Sequence, residues 1–186
     1  ELEAIRRVRN IDNNKNVWIS IPYIRSINEL KEVKQRITDY GFKRSSSFKV
    51  YANIETPAMY MNLDKVLDAD VDGIIVDTND LLPLLLGSDY SSMSFKSYKM
   101  EDSGIHEILD NIVSKCNKYK VPVILTGKLI EDNLSELSIR KIVESGITAV
   151  SVSRDKVNEV KKQIAKAEAN LLANKAGVKR KPKISL

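Results

Sequence analysis

The stretch "DGIIVDTNDLLPLLLGSDY", residues 72–90, begins as a buried strand and then breaks that pattern. Its β-branched start predicts a strand over 72–78, and the Leu-rich segment 81–86 predicts a helix packed into the core. Four polar side chains stand in a row between the two apolar parts: Asp77, Thr78, Asn79 and Asp80. The polar residues are therefore expected at the carboxyl end of a strand, where a helix begins.

The rest of the chain repeats this alternation of short apolar strands with amphipathic helical segments. Segment 103–119 is one predicted helix, and 154–172 is the last. Such alternation predicts an α/β fold with a parallel sheet covered by helices. A closed barrel needs eight strands, whereas an open doubly wound sheet can stop at five or six. The strand candidates number five: 17–24, 49–55, 72–78, 121–127 and 147–153.

Composition and charge restrict the classes of partner. The net charge is +5, but residues 170–186 hold five basic and no acidic side chains, so the remaining residues balance at 25 of each sign. We interpret 173–186 as a flexible basic tail. Nucleic-acid binding needs a basic patch on a folded surface, so no nucleic-acid partner is expected.

The single cysteine and the distribution of apolar residues restrict the compartment. Cys116 has no partner for an internal disulfide, which fits a reducing compartment such as the cytoplasm. No apolar run approaches the ~18 residues of a membrane-spanning helix. The chain starts without Met, and we expect it to be a piece of a longer protein.

Polar residues at three strand ends predict one shared site. Glu55 ends its strand, and Thr56-Pro57 directly after it supplies a helix cap. The next two strands end near Asn79 and Asp80, and near Thr126 and Lys128. Parallel α/β folds place ligand sites at the carboxyl ends of strands, and two carboxylates there suit Mg²⁺. An alternative is that Asp80 and Thr78 only cap a helix.

The combined motifs resemble the barrel of the phosphoenolpyruvate-utilising enzymes, which include phosphoenolpyruvate synthase, pyruvate phosphate dikinase and enzyme I of the sugar phosphotransferase system. "IETPAMY" (54–60) resembles a strand ending V-E-[IT]-P, and residues 72–89 resemble I-G-[ST]-N-D-L-T-Q-x-x-L-[GA]-x-D. Further matching stretches are "EAIRRVRN", "VWISIPYIRSINELKEV", "VPVILTGKLIED" and "ESGITAVSVSRDKV". The resemblance covers roughly 1–167 and, among the three enzymes, is strongest to the synthase.

This resemblance implies a partial (β/α)₈ TIM barrel made of about the last five β/α units, over residues 1–172. It implies that Glu55 and Asp80 ligate Mg²⁺ and that Asn79 contacts the phosphoryl group of a bound substrate, pyruvate or phosphoenolpyruvate. The phosphohistidine domain that delivers the phosphoryl group would lie in missing N-terminal domains. His106, the one histidine, falls on a predicted helix and is interpreted as structural.

Several positions depart from the family pattern, including Leu82-Pro83 in place of T-Q. Tyr90 stands where the family has an Arg that stabilises the transferring phosphoryl group. Thr126 stands at the position of the proton-donating Cys, and a thiol with a pKa near 8.5 transfers protons far more readily than a hydroxyl. Lys128 replaces the neighbouring Gln.

These departures leave three interpretations of function. The first is a fragment of a phosphoenolpyruvate synthase-like enzyme, and the second is a divergent, non-catalytic homologue that binds or regulates. The third is a Mg²⁺-dependent lyase or aldolase acting on pyruvate or an acyl-coenzyme A. In each case the isolated chain is predicted to be inactive. It is also predicted to self-associate through its exposed edge strand or a neighbouring helix.

Overall fold

A five-stranded, all-parallel sheet organises the structure, which is a computed structural model that describes residues 1–89, 102–128, 131 and 135–175. The strands are β1 (Ile19–Ile21), β2 (Val50–Ile54), β3 (Gly73–Asp77), β4 (Val123–Thr126) and β5 (Ala149–Val150). The described helices are α1 (Leu2–Asn10), α2 (Ile27–Asp39), α3 (Pro57–Met61), α4 (Leu63–Asp68), α5 (Thr78–Leu86), α6 (Ser103–Tyr119), α7 (Glu136–Ser145) and α8 (Val157–Lys175).

All five predicted strands are present, but each is shorter than its apolar run. The last run, 147–153, contributes only the two residues of β5. The flanking apolar residues, such as Ile147 and Val152, pack against the core from loops and so resemble strand residues in sequence. The last helix begins and ends three residues later than predicted, so the predicted tail starts inside α8. Residues 176–186 lie outside the described part of the chain.

The strand order decides between the two architectures that the strand count left open. The strands lie in the order β1-β2-β3-β4-β5, without the reversal that a doubly wound sheet requires. Right-handed crossovers between successive neighbours place every connecting helix on the same face of the sheet. The fold is therefore a curved segment of a singly wound α/β barrel.

The two faces of the sheet differ in burial as a barrel wall requires. The outer face packs under the helices and forms the core, with Val50, Ala52, Ile54, Ile74, Val76, Val123 and Leu125 all buried. The inner face is more open, with Asn53, Ile75 and Ile124 half-buried and Ala149 exposed. Helices thus cover one face of the sheet. The sequence analysis predicted that helices cover the sheet but did not say whether they cover one face or both. Every helix in the described ranges is too short or too polar to pass through a bilayer.

A buried arginine fastens α1 to the amino ends of the first two strands. Arg9 is only 5% exposed, and its guanidinium donates hydrogen bonds to the carbonyl oxygens of Lys15, Val17 and Ser47. The guanidinium carbon also lies 4.9 Å from the ring centroid of Phe48. Arg9 therefore satisfies three backbone acceptors in the segments that lead into β1 and β2, where these acceptors have no ladder partner.

Replacing Arg9 should destabilise the fold far more than replacing an exposed arginine of the same helix. Arg9→Met leaves three backbone acceptors unpaired, and at about 1 kcal/mol each the free energy of unfolding should fall by about 3 kcal/mol. Arg6→Met removes only an exposed pair with Glu3 and should cost less than about 0.5 kcal/mol. Urea unfolding of both variants measures the difference, and equal losses would contradict the role given to Arg9.

Candidate metal centre

Glu55 follows β2 directly and lies buried at the carboxyl edge of the sheet, 6% exposed. Its Oε2 accepts a hydrogen bond from the backbone N–H of Tyr23, and its Oε1 accepts one from Asn53 Nδ2 at 2.9 Å. Tyr23 has a left-handed backbone with φ of 54°, a conformation that a bulky residue rarely adopts. Two donors thus hold the Glu55 carboxylate in place. Thr56 and Pro57 supply the cap and first turn of α3, as predicted.

Asp77 ends β3 and caps the helix that follows. Its Oδ1 accepts a hydrogen bond from the backbone N–H of Asn79 at 2.8 Å, which makes Asp77 the N-cap of α5. The cap is therefore neither Asp80 nor Thr78, the two residues that the alternative interpretation assigned to it. Thr78 instead donates to the backbone carbonyl of Thr126 at 2.9 Å, which links α5 to the end of β4.

Three carboxylates converge at this edge. Glu55, Asp77 and Asp80 each offer a ligand oxygen within 4.8 Å of the others, one from the end of each of two strands and one from the first turn of α5. Glu55 and Asp80 are the two ligands that the sequence analysis named. Asp77 is an additional carboxylate between them.

The cluster raises the pKa of Asp77. Burial is the largest cause, and the negative charges of Asp80 and Glu55 act in the same direction. The hydrogen bond from Asn79 acts in the opposite direction without reversing the shift. An ionised Asp77 is therefore destabilising in the folded chain unless a positive charge joins the cluster.

The other residues predicted for the site surround the carboxylates. Asn79 Oδ1 accepts a hydrogen bond from the backbone N–H of Lys128 at 2.8 Å, and Thr126 pairs in register with Asp77. Gly127 makes this contact possible, because a Cβ at that position would lie 2.1 Å from Thr78 Oγ1 and its φ of 121° is unsuited to a side chain. Tyr90 and most of the predicted loop 88–102 lie outside the described residues.

Two titratable residues considered in the sequence analysis lie on an outer helix. His106 is on α6, where its Nδ1 is 3.0 Å from Asp110 Oδ2, and this pair suits a structural role. Cys116 is buried on the same helix, and burial raises the pKa of its thiol to about 12. A thiol with that pKa stays protonated near neutral pH and is a poor nucleophile.

The donor set at the carboxyl edge fits a hard divalent cation. Carboxylate oxygens are the ligands that Mg²⁺ takes from proteins, together with waters or substrate oxygens. Asn53 Oδ1, next to Glu55, is buried and has no hydrogen-bond partner among the described residues. The unbalanced negative charge and this unpaired acceptor are both features that a cation with ordered water would satisfy.

Sequence reasoning missed Asp77 and Asn53 as members of the site. Asn53 could have been found from the two-residue period of a strand, since it lies on the same face of the chain as Glu55. Asp77 could have been found from the family pattern, which has Gly where this chain has Asp before T-N-D.

An acidic cluster at the carboxyl edge of a barrel-type parallel sheet defines the class of protein, an α/β protein with a candidate divalent-cation site. The family model described as "PEP-utilising enzyme, PEP-binding domain" matches residues 1–169. The chain belongs to this family.

Individual relatives agree with the family model. The chain is 28% identical over 175 residues to a probable phosphoenolpyruvate synthase of Staphylothermus marinus, with 92% of this chain and 21% of the relative covered. It is 30% identical over 159 residues to a phosphoenolpyruvate synthase of Pseudomonas aeruginosa, with 84% of this chain and 20% of the relative covered. The chain thus spans about a fifth of the length of these curated relatives.

A solved structure shows the same fold. A pyruvate kinase from Cryptosporidium parvum superposes with a TM-score of 0.63 at 20% sequence identity, over 95% of this chain and 38% of the kinase chain. At this identity the match supports the barrel-type architecture.

The raised pKa of Asp77 predicts a pH-dependent gain in stability when its charge is removed. The folded state holds the Asp77 proton more tightly than the unfolded chain does. That contribution is complete below the ordinary value of 3.8 and is lost as pH rises through the raised pKa. Asp77→Asn keeps an N-cap residue and removes a charge that burial and the two neighbouring carboxylates disfavour. It should stabilise the metal-free chain at pH 7 by on the order of 1 kcal/mol.

Thermal unfolding in EDTA between pH 3.5 and pH 7.5 measures this gain. The difference in Tm between Asp77→Asn and the unmodified chain should shrink toward the acid end of the range. Asp12→Asn, at an exposed position in the loop before β1, is the control and should show no such trend. A variant less stable than the unmodified chain at every pH would show that the loss of the Asp77 cap outweighs the cost of its buried charge.

Proposed function

We propose that this chain forms part of a pyruvate/phosphoenolpyruvate-binding barrel that uses Mg²⁺. The observation that carries the proposal is the convergence of Glu55, Asp77 and Asp80 to within 4.8 Å at the carboxyl edge of the sheet. Glu55 and Asp80 would hold the cation, which when bound supplies a Lewis acid for the substrate oxygens. The family to which the chain belongs supports this choice of ligand and substrate class.

The surrounding side chains have separate roles in this proposal. Tyr23 and Asn53 orient the Glu55 carboxylate by donating to its two oxygens. Asn79 is held by the Lys128 backbone through its carbonyl oxygen, so its –NH₂ group is the part that would donate to a phosphoryl or carboxylate oxygen. Thr126 lies beside Asp77 in register, where its hydroxyl would contact the substrate.

The parent protein is proposed to be a phosphoenolpyruvate synthase-like transferase. In this proposal the phosphoryl group comes from a phosphohistidine on another domain of the parent, since His106 is paired with Asp110 on an outer helix. The length of the relatives, about five times that of this chain, supports the existence of such further domains. A cytoplasmic location is part of the proposal, and the buried thiol of Cys116 suits a reducing compartment.

A second candidate is a homologue that binds the same ligands without phosphoryl transfer. The observation in its favour is Thr126, whose hydroxyl stands at the family's proton-donating Cys and holds its proton too tightly to replace a thiol. Tyr90 in place of Arg adds to it. The metal-binding carboxylates persist in both candidates, so a binding experiment tests what they share.

Binding of oxalate, a mimic of enolpyruvate, tests the site directly. Calorimetric titration of oxalate into the chain with saturating Mg²⁺ should give heat of binding. Asp80→Asn should weaken this binding at least about tenfold, because it removes a unit charge that contacts a divalent ion. Asp12→Asn is the matched control and should bind like the unmodified chain. Heat that Asp80→Asn leaves unchanged would contradict the proposed metal site.

The isolated chain is also proposed to self-associate through the β1 side of its open inner face. Among the described residues β1 pairs only with β2, so one edge of the strand presents unpaired backbone groups. Trp18, directly before β1, is 44% exposed and stacks on Tyr51 of the inner face at 5.9 Å between ring centroids. A second copy would cover both the edge and the exposed ring of Trp18.

Sedimentation velocity at several concentrations tests the association. The unmodified chain should sediment faster as its concentration rises, and Trp18→Ser should shift it toward monomer. Tyr40→Ser is the matched control, because Tyr40 is similarly exposed at 51% but lies at the end of outer helix α2. A single monomeric species of the unmodified chain at all concentrations would contradict this proposal.

A further inference from the structure

Asp77 gives this site one more negative charge than the family pattern provides. The pattern has Gly at this position, whereas here the residue ends β3 between the end of β2 and the end of β4. Its carboxylate shares the 4.8 Å cluster with Glu55 and Asp80. The extra charge therefore lies among the proposed ligands and not on a distant surface.

The helix cap fixes Asp77 in that place. Oδ1 accepts the N–H of Asn79 at 2.8 Å, and Asn79 is in turn tied to the backbone of Lys128. The side chain is half-buried, so turning it toward solvent would break the cap of α5. A carboxylate has a second oxygen beyond the one in the cap, and this oxygen is available for a cation. The hydrogen bond that caps α5 therefore also holds Asp77 in position to act as a ligand.

The number of carboxylates decides what a bound cation attracts next. Two carboxylates neutralise a divalent ion, and such a site relies on substrate oxygens to complete the coordination that Mg²⁺ requires. Three carboxylates exceed the charge of the ion by one. Protein carboxylates and water can then hold the cation without substrate, and the loaded site repels an anion where a two-carboxylate site would not.

We propose that Asp77 is a third carboxylate ligand that lets the site bind a divalent cation before any substrate and weakens the later binding of an anionic substrate. This inference rests on the proposed metal site. Asp77 then sets the order and the strength of ligand binding. The cation binds first and tightly, and a substrate carboxylate or phosphate binds second and weakly. Chains of the family pattern, with Gly at this position, would show the opposite balance.

Titration with Mn²⁺, followed by the electron paramagnetic resonance signal of the free ion, tests whether Asp77 is a ligand of the cation. Without oxalate, the unmodified chain should bind one Mn²⁺, and Asp77→Asn should bind it on the order of tenfold more weakly, because a contacting unit charge contributes a factor of at least this size. Asn retains the cap of α5, so circular dichroism melts should show Asp77→Asn folded. Glu55→Gln tests the site itself and should also lose Mn²⁺.

Oxalate titration at saturating Mn²⁺ tests whether Asp77 weakens the binding of an anion. Asp77→Asn should bind oxalate several-fold more tightly than the unmodified chain. If Asp77→Asn matches the unmodified chain in Mn²⁺ affinity while Glu55→Gln loses the ion, Asp77 is not a ligand and the inference fails while the metal site stands. Weaker oxalate binding in Asp77→Asn would also overturn it. If neither substitution alters Mn²⁺ binding, the proposed function itself fails.

Discussion

The register between neighbouring parallel strands is the constraint on which the rest of this structure depends. Ile54 pairs with Val76 and Asp77 pairs with Thr126, so the carboxyl ends of β2, β3 and β4 lie together at one edge of the sheet. Because side chains alternate between faces, residues in register point to the same side of the sheet. The same pairing buries the aliphatic residues of the outer face, so the hydrophobic core and the polar edge depend on one set of backbone hydrogen bonds. A slip of one residue would exchange the two faces.

Charge repulsion within the carboxyl edge is the second organising feature. Asp77 stabilises the start of α5 as a cap and opposes folding as a charge near Glu55 and Asp80. Folding holds these carboxylates together because three hydrogen bonds each fix one part of the edge. They are the helix cap at Asp77, the bond from the Tyr23 N–H to Glu55 and the bond from the Lys128 N–H to Asn79. A cluster of like charges kept in place by separate structural bonds is a common feature of functional sites, since no structural need requires it.

The departures from the family pattern affect the positions for proton and phosphoryl transfer and not the two carboxylates proposed to bind the metal. The carboxylates that would hold a metal are present, and one more has been added, whereas the positions for proton and phosphoryl transfer carry Thr126 and Tyr90. In the proposed function, the additional charge of Asp77 and the replacement of an Arg would both reduce the attraction of the site for anions. The proposed site would then keep its cation and hold phosphorylated ligands less strongly than the family pattern would.

The sequence by itself determined the class of fold, the five strands, the family and two of the three clustered carboxylates. Apolar periodicity and the residues at strand ends are local properties, and they are readable without coordinates. Only the tertiary structure decided that the strands follow one another in order, that one face of the sheet stays open, and that Asp77 joins the cluster. These depend on which strands become neighbours and in what register. The sequence analysis assigned Asp77 neither the cap of α5 nor a place among the ligands, because the charges that lie near a strand end are brought there by segments distant in sequence.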